Sequence, residues 1–301
     1  MTPLYYAVSA ILLGWHWLFA HFGFLSTGWI WALSIAGLTI TVRALLIPLY
    51  VKQIKSSRNM QLLQPKIKEL QKKYGHDRQK LAEEQMKLWK ETGTNPFASC
   101  LPMILQIPVF FALYSVISHA SKGKPRGVLT SADAASLKEA ILLGGRIADS
   151  FMHSAHLETK LIAITLVVAM SVSQFVTMRQ LMMKNMPPDA LTGPFAQQQK
   201  LMMYIFPVIF AVSGVAFPIG VLIYWTVSNL WTGAQQWYVI RNNPSPGTPA
   251  FHAKQLRDAK RGKSVQEDPL EELEHPHPKP GRQQPRNQSR NQRKKKGGGK
   301  S

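Results

Sequence analysis

The sequence predicts an all-α membrane protein with five transmembrane helices, a cytoplasmic helical hairpin and a hydrophilic groove open to the cytoplasm. Three observations lead to this fold class: long apolar blocks, an uneven distribution of basic residues between them, and polar side chains grouped at one depth. A soluble all-helical protein would show polar faces every three or four residues along the blocks, and such faces are mostly missing.

The five apolar blocks are long enough to cross a hydrocarbon layer of about 30 Å at about 1.5 Å per residue, the shortest with local thinning of the bilayer. Within the first block, Arg43 is the only charged residue. The predicted spans are 29–51, 97–119, 157–178, 201–217 and 219–240.

Basic residues in the connections predict the orientation. Residues 52–95 hold eleven Lys or Arg and five acids, whereas 121–158, of similar length, hold five and four. Positive-inside logic therefore places 52–95 and the segment after residue 240 in the cytoplasm, and the loop 120–156 outside. Five spans then begin outside and end inside, as this assignment requires.

The first 28 residues form an apolar, aromatic-rich segment without a basic n-region or a convincing cleavage site, which argues against a cleaved signal peptide. Two placements remain open. The segment either lies in the outer interface as a helix, the placement we favour, or crosses the membrane as a sixth span.

The cytoplasmic segment 52–95 has helical periodicity. The residues Met60, Leu63, Ile67, Leu70 and Tyr74 step by three and four, which predicts one helix, and Asp77 is placed to cap a second helix. The result is a basic antiparallel hairpin, which is either a solvated linker or a docking arm for a ribosome, a targeting factor or an incoming chain.

The tail 241–301 is rich in Pro, Gly, Gln, Asn, Lys and Arg, so we expect it to be disordered. Its positive charge suits anionic lipid and ribosomal RNA. The single cysteine, Cys100, permits no internal disulfide.

The Arg, Asn and Gln side chains within the predicted spans lie at mid-membrane or in the cytoplasmic half. On the last span, Trp225, Asn229, Thr232 and Gln236 step by four, three and four and form one stripe. The other members of this set are Arg43, Gln106, Gln174 and Gln235. Because such groups are costly facing lipid, we expect them to line a wet pocket that is open to the cytoplasm and closed toward the outside.

Simpler interpretations exist for the same residues. Arg43 could snorkel to the cytoplasmic headgroups, and each amide could join neighbouring helices by hydrogen bonds. The histidines show no paired spacing typical of a metal site, and no triad or carboxylate pair lies in the spans. The sequence therefore gives no support for a metal, a cofactor or covalent catalysis.

Three stretches resemble one known family. They read VRALLIPLYVKQIKSSRNMQLLQPKIKELQKKYG, KETGTNPFASCLPMILQIPVFFALY and FPIGVLIYWTVSNLWTGAQQWYV. Over roughly 29–241 the chain resembles the YidC/Oxa/Albino family of membrane protein insertases. It looks most like the short Gram-positive or actinobacterial type, because the large periplasmic domain of Gram-negative members is absent.

The resemblance implies a five-span insertase core with a groove open to cytoplasm and lipid, and a bacterial plasma-membrane location with the N-terminus outside and the C-terminus inside. Arg43 matches the single groove arginine, and Thr39, Gln174 and Trp225 match further groove positions. Implied partners are nascent membrane-protein clients and, for hairpin and tail, the ribosome, with the Sec translocon, the signal recognition particle pathway and anionic lipids as additional ones.

Both lines of reasoning suggest insertion without covalent chemistry. Arg43 would attract a polar client segment into a hydrated groove, while the apolar client helix passes along the lipid-facing surface into the bilayer. Two rivals remain: a small-solute transporter that uses the same pocket, although no internal repeat is found, and a ribosome tether for which the spans are only anchors.

Overall fold

A computed structural model describes residues 2–93, 101–186, 194–265 and 268. Within these ranges the chain forms eleven helices and one two-stranded hairpin. The helices are α1 Thr2–Ala20, α2 Thr27–Leu45, α3 Ile47–Leu62, α4 Gln64–Tyr74, α5 Arg78–Glu91, α6 Leu101–Ala120, α7 Ser131–Glu139, α8 Leu157–Asn185, α9 Pro194–Gly214, α10 Ile219–Asn242 and α11 Pro249–Lys260. The strands are β1 Ile141–Leu142 and β2 Gly145–Arg146.

The predicted all-α membrane fold is confirmed. Three of the described helices, α1, α2 and α8, are long and apolar enough to cross a membrane, and Gln106–Ala120 and Met203–Gly214 are shorter apolar segments of α6 and α9. Helix α10 has 24 residues but contains no stretch as apolar as those in α1, α2 and α8, because amides and hydroxyls interrupt its apolar surface. Helix α8 continues seven residues beyond the predicted end of its span at 178.

The first predicted span, 29–51, is not one helix. It divides at Leu46, where α2 ends and α3 begins, although the Leu46 amide still donates to the Val42 carbonyl at 3.2 Å. Pro48 explains the break, because proline has no N–H to donate within a helix and its ring clashes with the preceding turn.

The hairpin 52–95 also begins differently from the prediction. Residues 60–74 are not one helix, because α3 ends at Leu62 and α4 starts with Pro65 in its first turn. Helices α4 and α5 pack together, with Leu63 and Ile67 of the predicted seam buried. The predicted cap is confirmed: the Asp77 carboxylate accepts from the Gln79 and Lys80 amides at 3.1 and 3.0 Å.

The loop 120–156 folds into a layer across one end of the bundle, which we call the layer end. It contains α7, which starts with a Thr130/Asp133 capping box, and the pair β1–β2, in register Ile141 with Arg146. The layer pairs with the start of α10: the Ile219 and Gly220 amides donate to the Asp149 and Ile147 carbonyls, both at 2.9 Å. The opposite end, from which α3–α5 extend, is the hairpin end.

The buried core is concentrated toward the layer end. Gly220 illustrates its density, because a Cβ there would meet Ile117, Ile147 and Ile35 at 3.0 to 3.2 Å. The largest fully buried side chains of α2, α6 and α10 in this region include Trp31, Ile35, Leu38, Leu113, Ile117, Ile219 and Leu222.

Helix α1 packs against α2 and α6. Near its start, the Ser9 hydroxyl accepts from the Val128 amide of the layer at 2.9 Å. Near its end, the His16 ring lies 4.1 Å from the ring of Trp31, in the first turns of α2. The neighbouring Trp15 indole N–H donates to the Thr41 hydroxyl at 2.9 Å, so α1 extends beside α2 from the layer to a level only two residues before Arg43. Helix α1 is also long enough to span a membrane.

The expectation of a disordered tail from 241 is wrong for residues 249–260, which form α11. Thr248 caps this helix, with its hydroxyl accepting from the Phe251 amide at 3.2 Å, and Pro249 occupies the first turn. Ala250 and Phe251 are buried, so the segment does contain an apolar face that composition alone concealed. The predictions for 266, 267 and 269–301, and for Cys100, lie outside the described residues.

Candidate functional site

Arg43 lies in the last turn of α2, and its half-buried side chain reaches across to α10. The Arg43 Nε donates to the Ser228 hydroxyl at 3.1 Å, and Nη2 donates to the same oxygen. Ser228 is buried on the face of α10 that packs against α2. The guanidinium is therefore held inside the bundle by a neutral partner on another helix.

A second polar contact lies one turn nearer the layer end. The Gln106 amide of α6 donates to the Tyr224 hydroxyl of α10, and Tyr224 lies one turn from Ser228, near the Arg43 side chain. The Gln106 Oε1 is buried without a hydrogen-bond partner among the described residues. We call Arg43, Gln106, Tyr224 and Ser228 the arginine cluster; it joins α2, α6 and α10.

The arginine cluster carries an uncompensated positive charge. No carboxylate in the described ranges forms an ion pair with Arg43, whereas Arg146 of the layer lies 3.5 Å from Glu139. An arginine remains charged in an apolar setting, and a charge in a low-dielectric site attracts opposite charge more strongly than in water. The cluster can therefore attract an anionic or strongly polar group.

The predicted α10 stripe is only partly joined to Arg43. Thr232 is one turn beyond Ser228 and donates to the Ser228 carbonyl at 2.9 Å, and Gln236 is half-buried one further turn along. Asn229 instead faces α8, where its amide lies 3.4 Å from the Met170 carbonyl. The hydrogen-bond interpretation of intramembrane amides thus describes Asn229 better than the groove interpretation does.

Trp225 belongs to an aromatic group rather than to the arginine cluster. Its ring centroid lies 4.6 Å from that of Phe210 on α9 and 5.1 Å from that of Phe110 on α6. Phe217 lies 6.0 Å away. Contacts of this kind stabilise helix packing, so in this structure Trp225 has a packing role.

Two further predicted positions lie apart from Arg43. Thr39 is buried, and its hydroxyl donates to the Ile35 carbonyl of its own helix at 2.7 Å. Gln174 is half-buried on α8. Of the other seven predicted residues, Gln106 lies closest to Arg43 in the described contacts, since its partner Tyr224 is one turn from Ser228 on α10.

Sequence reasoning missed Ser228 and Tyr224. They lie four residues apart, each one position before a member of the predicted stripe, so the face of α10 toward Arg43 is rotated by about 100° from the predicted one. The signal was present: Tyr224, Ser228 and Gln235 also follow helical spacing. Serine and tyrosine are common enough in membrane helices that this spacing alone did not distinguish them.

An apolar cavity of about 480 Å³ lies toward the hairpin end from the cluster, between α3 and α10. Tyr50 lies between the two regions, since it lines the cavity and is near the Arg43 side chain. The cavity is lined by Ile47, Val51 and Ile54 from α3 and by Trp231, Gln235 and Tyr238 from α10. The kink at Leu46 turns α3 away from α10, and the cavity lies between these two helices.

No group of three metal-ligating side chains occurs in the described part of the chain. The arrangement offers one fixed cation, a few neutral hydrogen-bonding groups and an apolar cavity beside them. It is suited to binding a segment that has both polar and apolar parts.

Comparison with known proteins gives one consistent result. Residues 23–246 match the family model described as 60Kd inner membrane protein. A membrane protein insertase YidC of Streptomyces avermitilis is 47% identical over 252 residues, which are 81% of this chain and 59% of that protein. A membrane protein insertase YidC of Tropheryma whipplei is 35% identical over 274 residues, covering 85% of this chain and 88% of that protein.

A solved structure is also similar: a crystal structure of an active YidC insertase with its first transmembrane domain resolved. It shares 28% identity and a TM-score of 0.50 with this chain, over 76% of this chain and 46% of the other. The chain thus spans about three fifths of the Streptomyces relative and about half of the crystallised protein.

Proposed function

Because the chain belongs to the 60Kd inner membrane protein family, with relatives named membrane protein insertase YidC, we propose that it inserts membrane proteins and assists their folding. It is a bacterial membrane protein. The observation that carries the proposal is the arginine cluster, in which a charge inside the bundle is held by a hydroxyl and leaves its electrostatic attraction available.

The proposed orientation places the hairpin end in the cytoplasm and the layer end outside, with the C-terminus inside. The basic excess of 52–95 over 121–158 supports it. In this orientation Arg43 is nearer the cytoplasmic surface. Helix α1 contacts the layer at Ser9 and, through Trp15, contacts Thr41 of α2, so it extends inward from the layer end beside α2.

The proposed mechanism begins at the hairpin end. A short polar or acidic client segment enters a hydrated groove beside the arginine cluster, where Arg43 lowers the cost of bringing polar groups into the membrane. Gln106 can contribute because its buried Oε1 has no partner among described residues and can accept a hydrogen bond from the client backbone. No covalent step is involved.

The client's apolar helix needs a separate path. Helix α8 exposes Leu161, Ile164, Val168, Val172 and Val176, which step by three and four and form one apolar face. A client helix can move along this face and enter the lipid, where burial of its own apolar surface supplies the direction. The 480 Å³ cavity between α3 and α10 offers a first apolar contact.

The proposed partners follow from charge. The basic hairpin and the tail suit the phosphates of a ribosome that delivers nascent clients, and the tail also suits anionic lipid. We further propose that the protein works either independently of the Sec translocon or with it, and receives some clients from the signal recognition particle pathway.

The proposal is tested with proteoliposomes that contain only this protein and a Sec-independent single-span client with an acidic translocated segment. We expect Arg43→Ala to reduce insertion about ten-fold or more and Arg43→Lys to retain part of it, since lysine keeps the charge but not the forked geometry. Arg179→Ala, an exposed arginine of α8, is the matched control and should insert normally.

The same assay separates the rival functions. Normal insertion by both Arg43 variants, with loss only on deletion of the tail, would favour a ribosome tether. A solute flux through the purified protein that Arg43→Ala abolishes, without any insertion activity, would favour a transporter.

A further inference from the structure

Helix α11 packs against the hairpin end of the bundle. Its first turn packs beside α8 and α10, with Phe251 buried. A hydrogen bond also fixes the segment that connects α10 to α11: the Asn185 side chain at the end of α8 accepts from the Ser245 amide at 2.9 Å. The chain after α10 therefore returns to the bundle at the level where α8 and α10 end.

A strongly basic cleft lies between the end of α10 and the outer face of α11. It has a volume of about 290 Å³. Its lining contains five basic residues and one acid, Arg241, Lys254, Arg257, Arg261, Lys263 and Asp258. Such an excess of positive charge around one small volume attracts anions.

Two arginines fix the shape of the cleft. The Arg257 Nη2 donates to the Arg241 carbonyl at 2.7 Å, which ties α11 to the last turn of α10. The Arg241 guanidinium lies 5.3 Å from the centre of the Trp237 ring. Both cations are thus positioned by contacts that leave other N–H groups available to an anion.

An apolar cleft of about 340 Å³ adjoins the basic one and shares Arg241 and Arg257 with it. Its apolar lining consists of Trp237, Ile240, Pro249, Ala250 and Ala253. Trp237 is half-exposed, as is typical of tryptophan at the boundary between lipid and water.

We propose that the two clefts form one binding site for an anionic phospholipid, with the phosphate among Arg241, Lys254 and Arg261 and the start of an acyl chain beside Trp237 and Ala253. An amphiphile explains both halves, because free phosphate needs no apolar cleft and the RNA backbone offers no acyl chain. The inference rests on the orientation given under the proposed function, in which α10 reaches the cytoplasmic surface near Arg241, where anionic headgroups lie. The bound lipid would hold α11 against the membrane.

The test is native mass spectrometry of the full-length protein released from nanodiscs that contain equal phosphatidylglycerol and phosphatidylcholine. The wild type should retain one phosphatidylglycerol in preference to phosphatidylcholine. Lys254→Gln with Arg261→Gln should lower that occupancy about ten-fold, because basic side chains near the surface each contribute to the attraction. Arg257 stays unchanged in this variant so that α11 remains tied to α10.

Lys122→Gln with Lys124→Gln is the matched control, since it removes the same charge from exposed positions of the layer. It should retain phosphatidylglycerol as the wild type does. Ala253→Glu is an independent variant that places a carboxylate in the apolar cleft while every basic residue stays in the sequence. This variant should also lose the lipid.

Three results would overturn the site: equal retention of both lipids by the wild type, phosphatidylglycerol retention by both cleft variants, or equal loss in the layer control. Displacement of the lipid by excess inorganic phosphate would assign the cleft to free phosphate. Displacement by a short single-stranded RNA would assign it to nucleic acid. Either displacement would contradict a lipid site.

Discussion

The two ends of the bundle differ in how closely their helices pack. At the layer end, backbone from α2, α10 and residues 141–150 comes into direct contact, and a Cβ at Gly28 would stand 1.8 Å from the Ile141 carbonyl oxygen. At the hairpin end, the helices separate around a polar cluster and an apolar cavity of about 480 Å³. The layer end is thus closely packed, whereas the hairpin end leaves space beside the arginine cluster.

This difference has a clear basis in the sequence. Small residues at Gly28 and Gly220 permit close approach at the layer end, whereas Pro48 redirects the chain at the hairpin end. The two ends also differ in how their arginines are paired. Arg146 at the layer end forms an ion pair with a carboxylate, whereas Arg43 donates to the hydroxyl of Ser228. The following experiments test whether the two ends differ in stability and in function.

The largest effect is expected from Gly28→Ala. The added methyl group would meet the backbone at Ile141, which cannot move without separating the layer from α2, so the free energy of unfolding should fall by about 3 kcal/mol. Gly14→Ala is the control, because nothing lies within 4 Å of a Cβ there. Unfolding in mild detergent measures both, and equal stability of the two variants would refute the closed layer end.

The next effect compares two isoleucines on α6. Ile117 at the layer end is 0% exposed and Ile107 toward the hairpin end is 46% exposed. Ile117→Ala should cost about 2 kcal/mol through the cavity it leaves, and Ile107→Ala well under 1 kcal/mol because lipid fills the space. If the same unfolding assay gives equal losses, packing does not distinguish the two ends.

A smaller effect is expected from Ser228→Ala, which removes the hydroxyl that positions Arg43. Hydrogen bonds to charged groups contribute about 1.5 kcal/mol, so insertion of an acidic client should slow roughly ten-fold or less. Ser213→Ala on α9, whose hydroxyl bonds only to its own helix, should have no effect. An unchanged rate for Ser228→Ala would mean that Arg43 needs no positioning partner.

The smallest effect concerns the hairpin. Asp77→Ala removes the cap of α5 and should cost about 1 kcal/mol locally. Hydrogen exchange should therefore quicken in the first turn of α5 and remain unchanged in α7. Glu83→Ala, at an exposed position of the same helix, should leave exchange unchanged. Faster exchange in both regions would mean that the two ends unfold as one unit.

The sequence predicted the fold class because apolar blocks and turn residues act locally. The cap at Asp77 is an example of a local rule that the structure confirms. Helix α11 was missed because its stability comes from burying Phe251 and from the Asn185 contact, which composition does not reveal.

Two members of the arginine cluster were predictable from the sequence, but the face of α10 that meets Arg43 was not. Arg43 and Gln106 were found because polar groups are conspicuous among apolar ones. Which face of α10 meets Arg43 depends on the rotation of the helix, and packing against α8 turns Asn229 away and brings Ser228 forward. One residue turns the helix face by about 100°, and the spacing of Tyr224 and Ser228 fits a stripe as well as that of Trp225 and Asn229 does.

The most direct test of the comparison is thiol modification of two buried positions on one face of α10, in a Cys100→Ser background. Ser228→Cys lies beside Arg43, and Val221→Cys lies two turns away toward the layer end. A small anionic methanethiosulfonate, added on the side of the hairpin end, should modify position 228 at least about ten-fold faster than position 221. At position 228 it should also react faster than its cationic analogue, because Arg43 attracts the anion. Equal rates at the two positions, or faster reaction of the cationic reagent at 228, would contradict a charged site that opens at the hairpin end.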